Sequence, residues 1–272
     1  MITKNTSYFF RGIAILMVIF SHYYEWGADQ AGNKKIAHFI ASLGDWGVGI
    51  FFLMSGYALY LGYKDRKTDK EYLIKRFKNV YLPYIIIAAI IMIIAGELTD
   101  LKSVIRLITG ADYWFMVILF IIYIVFYLVG KLPEQYKVFI MTVFIIDLSL
   151  WFCIKGYREF WYSANWAFAL GMIISRYEGR IGAVRNGFKI DIKDFAFCFL
   201  GRISLYIYLL HSFIYFRIVN LPAVTGSGMN WYLQLVIALI VTVAAAFIAE
   251  RSIGLLTGKL IKKKTQTAGT AG

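Results

Sequence analysis

The chain has 272 residues, 60% of them hydrophobic and 17% charged, with a formal net charge of +13. Soluble domains carry about a quarter charged residues, and here the apolar residues come in long blocks, which excludes an ordinary soluble domain or a pair of them. The basic surplus sits between those blocks, where it answers to anionic lipid headgroups and insertion topology and not to nucleic acid.

A helix needs about 20 mostly apolar residues to cross the hydrocarbon core. Eight segments read as spans: 8–24, 46–63, 80–96, 113–130, 138–154, 160–175, 196–218 and 232–250. The first apolar run, 12–20, has the length of a signal-peptide core. Ser21, His22, Tyr23, Tyr24, Glu25 and Trp26 follow it without a small-x-small cleavage site, so it reads as a retained span. With the N-terminus inside, 22 of the 29 Lys and Arg residues fall on inner segments and seven on outer ones. That bias predicts an all-α, polytopic transmembrane bundle of about eight spans with both termini cytoplasmic. One domain is expected over 1–264, followed by a small, polar, disordered tail over 265–272. Cys153 and Cys198 fall near opposite membrane faces, which argues against a disulfide. Three histidines without Cys/His spacing give no metal site.

Ionisable groups inside spans are costly and mark functional candidates. Arg11 and His22 lie eleven residues apart, about three helical turns, and so share one helix face about 16 Å apart along the axis. Arg11 lies at the inner end and could hold phosphate; His22 lies further out and could be a general base or a nucleophile. The plain alternative is an inner-face anchor and a hydrogen-bonded buried imidazole. His211 sits at a similar depth in its own span, either facing the same cavity or making an interhelical hydrogen bond. Asp147 is mid-span, able to orient a histidine or to serve structurally as a neutral carboxyl. The run 47–57 (GVGIFFLMSGY) carries glycines suited to close helix packing, and Ser55, which has no hydrolase elbow around it. Lys75, Arg76 and Lys78 precede the span that opens near Pro83, and could meet anionic lipid or a cofactor's phosphates.

These residues form an ordered set. The stretch 10–22 (FRGIAILMVIFSH) resembles the opening motif of the membrane-bound acyltransferase family 3, and 47–57 its second-span motif. The stretch 74–83 (IKRFKNVYLP) resembles its basic segment, 113–115 (YWF) a tryptophan-centred motif, and 201–211 (GRISLYIYLLH) a late motif ending in histidine. Five matches in family order, with the Arg–His spacing kept, make the resemblance specific. Members more often have additional spans, and histidine often stands where this chain has Asp112 and Tyr113. The resemblance implies acyl transfer, usually of acetyl from cytoplasmic acetyl-CoA, to a hydroxyl of a cell-surface carbohydrate or a related lipid-linked acceptor. It implies a multi-pass protein of the cell membrane that uses acyl-CoA as donor and holds no permanent cofactor.

On that footing Arg11, Arg76 and Lys75 are expected to hold the CoA phosphates. His22, Arg11 and His211 are expected at the reacting centre, with Ser55, Trp114 and Asp147 lining the cavity. Two rivals remain. A transporter or flippase would also need polar groups at mid-membrane. It would be expected to show inverted repeats or paired broken helices, whereas the prolines are only Pro83, Pro133 and Pro222. An inactive membrane scaffold is the other.

Overall fold

The structure is a computed structural model that describes residues 2–27, 34–184, 191–221 and 229–269. Among the described residues the regular structure is helical. The backbone divides into two compact units, residues 1–76 with 97–202 and residues 77–96 with 203–272.

In the first unit, α1 (Lys4–Trp26) starts at Thr3, whose hydroxyl accepts from the Thr6 amide at 3.2 Å. Helix α2 (Lys34–Tyr63) runs twelve residues further N-terminally than the expected span, because 34–45 contains no helix breaker before Gly44. Helices α1 and α2 pack along each other, and α2 packs along α8 (Trp166–Val184). Glycines set both α2–α8 and α1–α9 distances, where α9 is Phe195–Arg202. A Cβ on Gly56 would overlap the carbonyl of Phe168, and one on Gly171 would overlap the carbonyl of Leu53 and lie 2.8 Å from the Tyr57 amide nitrogen. A Cβ on Gly12 would likewise overlap the Phe197 carbonyl, and one on Gly201 the Tyr8 carbonyl. These backbones touch, as small-residue helix pairs do in membranes. Gly12, Gly56 and Gly201 of the resemblance motifs are thus explained by packing.

Polar anchors tie the same helices together. Tyr57 donates to Glu178 at 2.5 Å and accepts from the Ile2 amide at 3.0 Å. Tyr60 donates to Glu134 at the start of α7 (Glu134–Ile154), and Arg176 lies 3.7 Å from the same carboxylate. Lys137, only 2% exposed, donates to the carbonyls of Tyr63 at 2.6 Å and Arg66 at 2.9 Å. It therefore caps the C-terminal end of α2 with a positive charge, where the last carbonyls lack helical partners. Lys137→Met should lower unfolding stability in lipid or detergent by about 1.5–3 kcal/mol, the worth of charge-assisted hydrogen bonds. Unchanged denaturant midpoints would contradict that capping role.

Between α2 and α7, α3 (Lys70–Arg76) leads into a π turn over Phe77–Tyr81, just ahead of Pro83. Pro83 cannot donate to a carbonyl one turn back, so the wider turn relieves the local ladder. The region expected to be an outer loop before Trp114 contains a helix, α5 (Leu101–Thr109), followed by α6 (Trp114–Val129) at a bend of 61°. Helix α5 is closed by a capping box between Asp100 and Ser103 and by Gly110 at φ 80°. Hydrogen bonds from the Ser103 amide and hydroxyl hold the Asp100 carboxyl below its ordinary pKa.

The second unit consists of α4 (Leu82–Ala95), α10 (Ser204–Val219) and α11 (Trp231–Gly269), with α10 packed on both others. Its core includes Tyr84, Ile87, Met92, Ile207, Leu209, Leu235 and Ala238. The expected span 196–218 is broken at Ile203 into α9 and α10. Helix α11 runs to Gly269.

By length and composition four helical segments can cross a membrane: His38–Tyr63, Lys70–Ala95, Glu134–Ile154 and Trp231–Thr257. Counting the two broken pairs, α5 with α6 and α9 with α10, gives up to six. Helices α1 and α8 fall outside this set. The first carries Lys4, Arg11, His22 and Glu25, and the second ends in Arg176, Glu178 and Arg180.

Candidate functional site

Arg11 and His22 lie on one uninterrupted helix, α1. Between them on the same stripe stand Ile15 at 0% exposure and Val18 at 2%. Steps of four, three and four residues keep all four within an arc of about 60°. The stripe joining the two polar groups is therefore turned into the protein, and both side chains are themselves half-buried. His22 stacks on Trp26 with ring centres 5.2 Å apart and 25° between planes.

A second cation joins the inner end of this stripe. Arg76, the last residue of α3, lies within electrostatic reach of Arg11, as do Tyr123 and Tyr8. The Arg76 guanidinium stands 5.4 Å from the ring centre of Tyr123 and 5.7 Å from that of Tyr72. Tyr72 is fully buried, and its hydroxyl donates to the Tyr123 carbonyl at 3.0 Å. The Nε atoms of Arg11 and Arg76 are both buried without a hydrogen-bond partner. Among the described residues neither arginine pairs with a carboxylate within 4.0 Å. Two like charges beside aromatic rings, with donors left over, form an arrangement that an anion would complete.

The remaining expected residues are spread out. Ser55 is half-buried on α2, beside the tight Gly56 contact with α8. Trp114, half-buried at the start of α6, meets Phe160 at 5.0 Å and Trp161 at 6.3 Å between ring centres. Its neighbour Phe115 reaches Phe52 of α2 at 5.0 Å, so the tryptophan motif and the second-span motif adjoin. Lys75 is exposed and paired with Glu71 at 2.8 Å, on another side of α3 from Arg76. Asp147 is exposed on α7, on the side that presents Val143, Ile146, Leu150 and Trp151. His211 belongs to the second unit, is 3% exposed, and has Nδ1 2.6 Å from the Tyr208 carbonyl. Cys153 and Cys198 are both free thiols. Among the described residues no cluster of three or more His, Cys, Asp or Glu could hold a metal.

Sequence reasoning missed Tyr123 and Tyr72. The available signal was a phenol in the middle of the apolar run 114–129, where a buried hydroxyl calls for a partner.

The acyltransferase family 3, described as an acyltransferase domain, matches residues 9–192. That stretch contains Arg11, His22, Ser55, Arg76 and Trp114, and covers more than half of the chain. The chain belongs to this family. With its long apolar helices, membership makes it a membrane protein of acyltransferase type. No curated protein and no solved structure matches it.

Proposed function

We propose that the chain is an O-acyltransferase of the cell membrane. It moves an acyl group, acetyl in the first instance, from cytoplasmic acyl-CoA to a hydroxyl of a cell-surface carbohydrate or lipid-linked acceptor. One observation carries this reading: Arg11 and Arg76 converge beside Tyr123 with a buried, unused Nε each, on the stripe that leads to His22. Within the proposal the chain crosses the bilayer eight times, with α1 and α8 completing the count and both termini in the cytoplasm.

Arg11 and Arg76 hold CoA phosphates through charge-assisted hydrogen bonds. The distance of about 16 Å along α1 is spanned by the pantetheine arm, which brings the thioester towards His22. The imidazole of His22 takes the proton from the acceptor hydroxyl as its oxygen bonds to the thioester carbon. The carbon–sulfur bond breaks, and the CoA thiolate leaves and is protonated by the imidazolium. Trp26, stacked on His22, restricts the ring's orientation. Trp114 and Ser55 flank the acceptor side.

The test compares surface glycans and lipid-linked glycans from cells with and without the chain. An alkali-labile ester is expected to vanish when the chain is deleted and to return with the wild-type chain. It should not return with His22→Ala protein inserted at the same level. An ester pattern indifferent to deletion would refute the proposal.

A further inference from the structure

Helix α5 divides its nine residues among three directions. At 100° per residue, Leu101, Val104, Ile105 and Ile108 fall within an arc of about 100°. They are 76%, 37%, 53% and 52% exposed. Lys102, Arg106 and Thr109 occupy a second arc of about 60°, roughly 120° away from the first. Ser103 and Leu107 lie on a third side and are 3% and 8% exposed. The charges of this region gather with the second arc. Arg106 is 2.7 Å from Asp112 and 3.9 Å from Glu97.

A three-way partition of this kind fits a boundary where protein, lipid and water meet. The apolar arc is too wide and too exposed for a helix lying in water. The charged arc, with Lys102 and the Arg106 ion pairs, is unsuited to hydrocarbon. Helix α5 also adjoins a membrane-facing element directly. Five residues after its last residue, Trp114 opens α6, whose Ile124 and Leu128 are 59% and 57% exposed. The 61° bend between the two helices turns α5 away from the line of α6.

We infer that α5 is an in-plane interfacial helix. It lays Leu101, Val104, Ile105 and Ile108 against the acyl chains of the leaflet at the N-terminal end of α6, and holds Lys102 and Arg106 among headgroups and water. Helices of this amphipathic kind sit with the apolar face about 5–10 Å below the headgroup boundary. Here the helix fixes the depth of the Tyr113–Trp114 corner, and with it the level at which α6 enters the bilayer. This surface is independent of acyl transfer and would stand if that function were wrong.

Site-directed spin labels test it in the full chain reconstituted in phospholipid bilayers, with Cys153 and Cys198 first replaced by serine. Labels are placed singly at Leu101, Val104, Ile105, Lys102 and Thr109; the three apolar sites back each other up if one variant does not reconstitute. Oxygen, which concentrates in lipid, should relax the labels at 101, 104 and 105 several-fold more than a water-soluble nickel chelate does. The order should reverse at 102 and 109. Equal nickel access at all five sites would place α5 in water. Shielding of 101, 104 and 105 from both reagents would place the stripe against protein. Oxygen access with nickel exclusion at 102 and 109 would place the whole helix inside the hydrocarbon. Each of these three results overturns the inference.

Discussion

Protein carrying His22→Ala, inserted at normal levels, should lose acyl transfer by a factor of about 10²–10⁴, the range over which positioned acid–base groups act. The loss should fall on turnover with little change in the KM for acyl-CoA, because the imidazole is placed about 16 Å from the arginine proposed to hold the phosphates. Arg11→Gln should show the opposite split. Within the proposal it removes one charge-assisted hydrogen bond to phosphate, worth about 1.5–3 kcal/mol. KM for acyl-CoA should therefore rise about ten- to a hundredfold, with a smaller change in kcat. A structural role for either residue would move folding yield and both kinetic constants together. Kinetics on protein of matched thermal stability separates the cases. Full activity in the His22 variant would remove the general-base assignment.

The second large effect is on folding. Gly56→Leu and Gly171→Leu should each abolish the folded chain, seen as aggregation on size-exclusion chromatography and loss of a cooperative thermal transition. The reason is reciprocal. Gly56 of α2 faces the Phe168 carbonyl of α8, and Gly171 of α8 faces the Leu53 carbonyl of α2. The obstacle at each site is backbone, which cannot rotate away as a side chain can. The cost therefore lies at or beyond the upper end of the usual 1–3 kcal/mol for overpacking. Spreading the two helices would also pull Tyr57 from Glu178. Gly62→Ala is the matched control. Nothing lies within 4 Å of the new methyl group, and removing a helical glycine should be neutral or stabilising by about 0.5–1 kcal/mol. Normal folding of both leucine variants would show that the helices do not approach so closely.

How far the sequence reached follows from what each residue's signal contains. The Arg11–His22 pair was legible because helical periodicity fixes a common face once the helix is continuous, and α1 is continuous. That this face turns inward is seen only in Ile15 and Val18, whose aliphatic chains would suit lipid equally well. The same ambiguity misdirected Asp147. A carboxyl in a span suggests an interior position, yet its side of α7 is an exposed one. Lys75 and Arg76 read alike as a basic pair, but adjacent helical residues point about 100° apart, and only Arg76 meets Tyr72 and Tyr123.

Helix α5 was hidden by its brevity. Nine residues between Asp100 and Gly110 read as loop when the search is for segments of about 20. The break at Ile203 was hidden because it falls inside the apolar segment 196–218, where no proline marks it. Lys137 counted as an inner-face charge, whereas its ammonium group is consumed by the carbonyls that end α2. Such a role depends on where another helix stops, which no local pattern records.

The most direct measurement is saturation binding of labelled acetyl-CoA to the purified chain in lipid nanodiscs, compared with Arg11→Gln, Arg76→Gln and the double variant. The account predicts saturable binding to the wild type, competed by CoA, and a Kd weakened by about a hundredfold or more when both guanidinium groups are gone. Binding of equal strength to wild type and double variant, or absence of saturable binding to the folded wild type, would contradict it.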